Sequence, residues 1–412
     1  MRVAIVLIAS ALVGAACGTG DAADLSAGGG RSLAGAEAAT ALVVVDDGDQ
    51  VQTAMSSAAG SVDVVEVPVD PVPLAAETVI ADETPARLAV NPEVGAPNGV
   101  PLVIFDTDLG PDVDDALALA MLHGYQKRGL IEIAAVTLTR NSVVGARYAD
   151  ALNTFYGRPD IPIGIQPDAP AAFSDTTNFP ALADRWPHDL TADGVVEGYR
   201  LQRQVLARAV DEGRSVIIIQ VGFSGNLAKL VTSGGDDISP LTGDELIRRS
   251  VSVLSVMGGA IERSLVEFNI KHDIGAAQTL FERWPGRIIL SPFEIGYGIH
   301  YPYASIRNDF GWVDRHPIRE SYEFRDLDWH HNSGAYYDMR SWDLTAVMEA
   351  VEPNSGYFLI SQPGRVTVDG SGRTTFATGG GQHYVLDRSR EYVGDRRQRI
   401  VSRMIELVAD RP

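Results

Sequence analysis

Hydrophobic and polar positions divide the chain into three parts. Residues 3–16 are apolar, small or branched, and residues 18–99 are rich in Ala, Gly, Asp, Val and Pro with no aromatic residue. From Pro101 onward, short apolar runs alternate with stretches of helical periodicity. The runs 102–105, 131–138, 161–165, 215–221, 251–257 and 287–290 are predicted as strands. The stretches 116–125, 145–156, 198–212, 226–232 and 274–283 are predicted as helices. Several of the strands are apolar on both faces, a pattern that marks strands buried beneath helices on either side. The pattern therefore predicts one α/β domain over residues 100–412, a mainly parallel Rossmann-like open sheet flanked by helices. Strand-like stretches at 365–368 and 384–386 and a final Arg- and Ile-rich helix close it. In such sheets ligands bind beyond the carboxyl ends of the strands, where the polar clusters of this chain fall.

The first part reads as an export signal. Arg2 gives a short positive start, and an apolar stretch of this length falls short of the roughly 20 residues that span a bilayer. Residues 1–16 are expected to be the signal, and Leu12-Val13-Gly14-Ala15-Ala16-Cys17 resembles a bacterial lipoprotein cleavage site, with Gly14 where Leu is usual. Cys17 would then carry the lipid as the first mature residue, holding the protein at the outer face of a bacterial membrane; without lipidation it would be secreted. Cys17 is the only cysteine, so an intrachain disulfide is excluded. Residues 18–99 read mainly as a tether. Within them 41–46 and 62–69 are strand-like, and 50–59 between them is expected to be helical.

Charge narrows the partners. The formal net charge is −20, with 54 acidic against 34 basic residues. Nucleic acid is a poor partner for such a surface, because phosphates need cations. A small uncharged ligand and a hard cation such as calcium remain well suited to it.

The densest chemical signal is Phe105-Asp106-Thr107-Asp108-Leu109-Gly110-Pro111-Asp112-Val113-Asp114-Asp115-Ala116, five carboxylates in ten residues between a strand and a helix. Carboxylates so close repel and raise one another's pKa unless a cation neutralises them. Six to eight oxygen ligands around a divalent ion answer that need. Helix capping by Asp112 or Asp114 would occupy only one of the five.

This segment resembles the N-terminal signature of the inosine–uridine nucleoside hydrolase family, with two extra residues before the Asp114–Asp115 pair. Further blocks follow in the family's order over about residues 101–350. They are Thr139-Arg140-Asn141, Gly157-Arg158-Pro159-Asp160-Ile161-Pro162, Val221-Gly222-Phe223-Ser224-Gly225-Asn226-Leu227, Met257-Gly258-Gly259-Ala260, Glu267-Phe268-Asn269-Ile270 and Ser341-Trp342-Asp343-Leu344. The resemblance implies calcium held by Asp108, Asp115, Asp343 and the main-chain carbonyl of Gly225, with Asp112 competing and Asp106 supporting. It implies a sugar held by Asn141, Glu267 and Asn269, and a homo-oligomer of two or four chains. Asp108 would take a proton from an attacking water, with Asp114 beside it at the reacting sugar. Cleavage of an N-glycosidic bond through an oxocarbenium-like state follows.

The chain departs from the family at the leaving group, where Trp342 replaces a His. Trp342 either stacks on a base or packs inside. His331 or His330, in Asp328-Trp329-His330-His331-Asn332, are candidates to replace the missing acid, and His188 is another candidate pocket histidine. Two other readings stay open. One is a non-catalytic nucleoside- or sugar-binding lipoprotein that keeps the metal site. The other is a phosphotransfer enzyme with Asp106 or Asp108 as nucleophile, which leaves Glu267-Phe268-Asn269 unexplained.

Overall fold

The computed structural model describes residues 41–45, 51–56, 62–66, 99–171, 178–329, 337–387 and 394–412. Residues 1–83 and 84–412 form two units. In the first, β1 (Ala41–Val45), β2 (Val51–Ser56) and β3 (Val62–Glu66) make an antiparallel sheet in chain order. The strand β2 stands where the pattern predicts a helix; pairing along its length with both neighbours outweighs the helical preference of its small residues.

The second unit opens with β4 (Leu102–Thr107), α1 (Asp114–Lys127), β5 (Glu132–Leu138), α2 (Val143–Phe155), β6 (Ile163–Ile165) and β7 (Val196–Glu197). Then come α3 (Gly198–Glu212), β8 (Val216–Gln220), α4 (Gly225–Thr232), α5 (Gly243–Ser250) and β9 (Val251–Met257). Next are α6 (Phe268–His272), α7 (Ile274–Arg283), β10 (Ile288–Ser291), α8 (Phe293–Gly298), β11 (His300–Tyr301) and α9 (Tyr303–Asn308). The unit ends with α10 (Pro317–Trp329), β12 (Met339–Arg340), α11 (Trp342–Val351), β13 (Leu359–Ile360), β14 (Gly364–Val368), β15 (Thr374–Thr378), β16 (His383–Asp387) and α12 (Gly394–Val408).

One sheet runs β15-β14-β16-β10-β9-β8-β4-β5-β6-β7, with β13 paired to β16. Every pairing from β16 across to β7 is parallel; β13 and β14 run against it, and β15, antiparallel to β14, again runs with it. Alternation along β4 explains the layers. Val103 and Phe105 face a core shared with α1, α2, α11 and α12, while Leu102 and Ile104 face α3, α4, α5 and α7. With both faces covered, the strands must be apolar throughout, and β8, Val-Ile-Ile-Ile-Gln, is buried along its whole length.

The order of strands also places the site. After β4 the chain builds outward through β5, β6 and β7, then returns with β8 on the other side of β4. A crevice opens beyond the carboxyl ends of two strands whose connections leave in opposite directions. Asp108 follows β4 and Val221 follows β8, so both stand at its mouth.

Candidate active site

The turn after β4 is built around one carboxylate. Leu109 has φ +39°, a left-handed conformation that a branched side chain adopts only when held there. Its N–H donates to Thr107 Oγ1 and Asp115 Oδ1, both at 3.1 Å, and the N–H of Gly110 donates to Asp115 Oδ2 at 3.1 Å. The Thr107 hydroxyl also donates to Asp115 Oδ1. These bonds stabilise ionised Asp115, whereas burial, the stronger influence, pushes its carboxyl above the usual range.

Asp108 sits in the same turn, 5% exposed, with its main-chain carbonyl accepting from Arg140 Nε at 2.7 Å. Burial, and next the charge of Asp115, hold its carboxyl well above the ordinary range, against the pull of Arg140. Asp114 and Asp115 open α1, and Asp343 lies in the first turn of α11. Two helix N-termini therefore bring partial positive charge to these carboxylates. The N–H of Asp343 donates to Asp114 Oδ2 at 3.3 Å, joining the two helix starts. Burial, followed by the charges of Asp114, Asp115, Asp108 and Asp112, raises the Asp343 carboxyl well above normal.

Oxygens of Asp114, Asp115 and Asp343 lie within 4.8 Å of one another, all three residues buried. Repelling carboxylates out of water are costly without a counter-charge, and an all-oxygen set suits a hard cation. These residues can hold a metal ion, with Asp108 and Asp112 beside them.

Above this acidic floor is a cavity of about 370 Å³, enough for a small ligand. Asp108, Asp112, Asp114, Asp115, Glu267, Asn269, Trp342 and Asp343 all line it. Apolar walls come from Met257, Leu265, Val266, Phe268, Phe293 and Trp342, and Val221 and Lys271 complete the described lining together with Gly110 and Pro111.

Glu267 caps α6. Its Oε1 accepts from Asn269 N at 2.9 Å, and its Oε2 from Gly259 N at 3.0 Å and Ile270 N at 3.2 Å. Burial raises its carboxyl despite these donors. Main-chain donors thus pin this carboxylate at the edge of the cavity. Asn269 donates from Nδ2 to the carbonyls of Val221 at 3.0 Å and Met257 at 3.3 Å, which directs its Oδ1 away from those contacts. Trp342 donates from Nε1 to Phe293 O at 2.9 Å, with the ring centroids 5.5 Å apart, so its indole forms a wall and its N–H is committed.

Two expected residues do not reach the cavity. Asn141 is exposed and donates to Pro167 O at 2.8 Å; its neighbour Arg140 is the one that turns inward to Asp108. Gly225 is the first residue of α4, packed against Gln166 so closely that a Cβ would lie 2.2 Å from its amide. After β8 the residue that lines the cavity is Val221, and Gly225 is not among the lining residues. Asp106 faces the other side of the sheet, where its Oδ1 accepts from Thr137, Asn226 and Gln202. His188 contacts Asp184 at 3.2 Å, away from the cavity, and His330 and His331 lie outside the described residues.

Residue-by-residue reading missed the Phe293 wall, Lys271 and Glu294. Buried Glu294 accepts from Glu262 N at 2.9 Å and Arg263 N at 3.0 Å, fixing the segment that carries Leu265 and Val266. No local motif announces these three; Lys271 alone could have been noticed, as the cation following Glu267 and Asn269.

Fold and site together define a doubly covered, mainly parallel α/β protein with a carboxylate-lined cavity at the sheet's switch point. Residues 103–403 match the model for inosine-uridine preferring nucleoside hydrolases, and the chain belongs to that family of N-glycosyl hydrolases. Among solved structures, the plant nucleoside hydrolase PpNRh1 is 21% identical at a TM-score of 0.57, covering 75% of this chain and 99% of its own. The purine-preferring ribonucleoside hydrolase of Gardnerella vaginalis is 17% identical at a TM-score of 0.54, over 75% and 98%. The inosine-uridine preferring nucleoside hydrolase of Bacillus anthracis is 14% identical at 0.54, over 74% and 99%. None of the curated proteins compared with the chain matches it.

Proposed function

We propose that this protein hydrolyses the N-glycosidic bond of a ribonucleoside or related ribosyl compound in a calcium-dependent reaction. The observation that carries this is the meeting of Asp108, Asp114, Asp115 and Asp343 on the floor of a cavity whose sides are aromatic and apolar. A polar sugar fits the floor and a flat base fits the walls.

Calcium bound by Asp115, Asp343 and Asp108 would supply positive charge to sugar hydroxyls and to a water. Asp108 accepts the proton of that water as its oxygen attacks the anomeric carbon. Asp114, at the start of α1, faces the sugar and stabilises positive charge developing on the ring. Glu267 and Asn269, both lining the cavity, hold sugar hydroxyls through their side-chain oxygens. Both are pinned by main-chain contacts, so they cost little reorganisation when the sugar binds.

The stretch 3–16 ending in Cys17 supports export, with Cys17 lipidated and residues 18–99 as tether. No helix among the described residues is long and apolar enough to cross a membrane.

The test is free sugar release from a panel of purine and pyrimidine ribonucleosides, with Asp108→Asn in parallel. Release of sugar and free base by the wild type alone supports the proposal. Binding of the panel without release would favour the non-catalytic reading, which the Trp at position 342 also suits.

A further inference from the structure

Resting on the hydrolase reading above, we propose that Lys271 is the general acid that protonates the departing base. A nitrogen leaving group departs with the bonding electron pair, and a heterocycle that is a poor leaving group needs a proton as the bond breaks. Six carboxylates line the cavity, from Asp108, Asp112, Asp114, Asp115, Glu267 and Asp343, and they belong to the metal and sugar end. Trp342 cannot serve, because its one donor hydrogen goes to Phe293 O. His272 packs tilted against Phe268 at 4.3 Å, stacks on Phe223 at 5.4 Å, and does not line the cavity.

Lys271 is the one cationic side chain among the described residues lining the cavity, and it is exposed. None of the ion pairs within the described structure involves it. Its place on α6 gives it the right neighbours. Phe268 and Lys271 are three residues apart and so share a helical face, and Phe268 belongs to the apolar wall. Glu267 and Asn269, on the same short element, reach toward the sugar end. The ammonium therefore stands beside the surface on which a base lies.

The step balances. The C1′–N bond breaks and its electron pair passes to the base, while a proton moves from Lys271 Nζ to a ring atom of the base. The water oxygen bonds to C1′ and its proton goes to Asp108. Lys271 recovers a proton from solvent, to which it is open, and the net change is one water consumed for one sugar and one free base.

The experiment compares wild type, Lys271→Met and Lys271→Arg on two substrates. One is a nucleoside that the wild type cleaves, and the other is 4-nitrophenyl β-D-ribofuranoside, whose phenolate leaves without a proton. Lys271→Met is expected to lose roughly 10²–10⁴-fold in kcat on the nucleoside and to keep wild-type turnover of the nitrophenyl riboside, which also shows that it folds. Lys271→Arg is expected to stay impaired on the nucleoside, because a guanidinium does not release its proton. Equal losses on both substrates, no loss on either, or full rescue by Arg would overturn the assignment. Failure of the wild type on both substrates would instead sink the hydrolase reading itself.

Discussion

Asp106→Asn should remove a slope in the pH dependence of stability. Asp106 is fully buried, and its Oδ1 accepts from Thr137 at 2.6 Å, Asn226 at 2.9 Å and Gln202 at 3.2 Å. Its Oδ2 has no hydrogen-bond partner. Burial outweighs those donors and raises the carboxyl from 3.8 to about 7. At 1.36 kcal/mol per unit, a shift of about three units corresponds to about 4 kcal/mol of stability. Because the folded value lies above the unfolded one, the folded state holds the proton more tightly. The contribution is whole below 3.8 and is lost as pH rises through about 7. An amide keeps the acceptor at Oδ1, does not ionise, and adds donors where Gln202 Oε1 and Asn226 Oδ1 lack partners. Urea unfolding of both proteins from about pH 5 to about pH 8 tests this, and titrations common to both cancel in the difference. The variant should gain roughly 3 kcal/mol on the wild type over that range. Parallel curves, with the variant equally destabilised at every pH, would refute the reasoning.

Other outcomes follow from the same geometry. Gly222→Ala puts a Cβ 2.4 Å from Thr139 Oγ1 and 2.6 Å from the Asp108 nitrogen; kcat should fall sharply and stability by about 1–3 kcal/mol, seen in steady-state kinetics and melting. Glu294→Ala removes the acceptor of the N–H groups of Glu262 and Arg263. KM should rise and amide exchange of that segment quicken, at a cost of about 1–3 kcal/mol. Without metal, Asp108, Asp115 and Asp343 are raised by burial and mutual repulsion, so melting temperature should fall as pH rises through their folded values. Calcium at about 100 times its Kd should restore about 2.7 kcal/mol, with the gap over chelator widening toward higher pH.

Much of the fold is written in local pattern. The strand β9 and the helices α3 and α7 have the bounds that periodicity predicts, because a strand buried on both faces and an amphipathic helix each repeat over enough residues to be read. Short elements between residues 293 and 340 carry mixed aromatic and charged residues with no clear period, and their pairing is tertiary. The helix α5 went unread although Thr242 and Glu245 form a capping box at its start. In the site, the density of carboxylates after β4 announces their chemistry. Sequence does not say which of two neighbours turns inward. At Arg140 and Asn141 it is the arginine, held by the Asp108 carbonyl. After β8 it is Val221 that lines the cavity, while Gly225 opens α4. Lys271 and Phe293 gain their place only when α6 and α8 close over the floor.

The most direct test of the account is the initial rate of sugar release by protein stripped with a chelator and then titrated with Ca²⁺. The account predicts no release in chelator, saturable recovery with calcium in the wild type, and none in Asp343→Ala. A rate indifferent to chelator, or an Asp343→Ala variant that recovers as the wild type does, would contradict it.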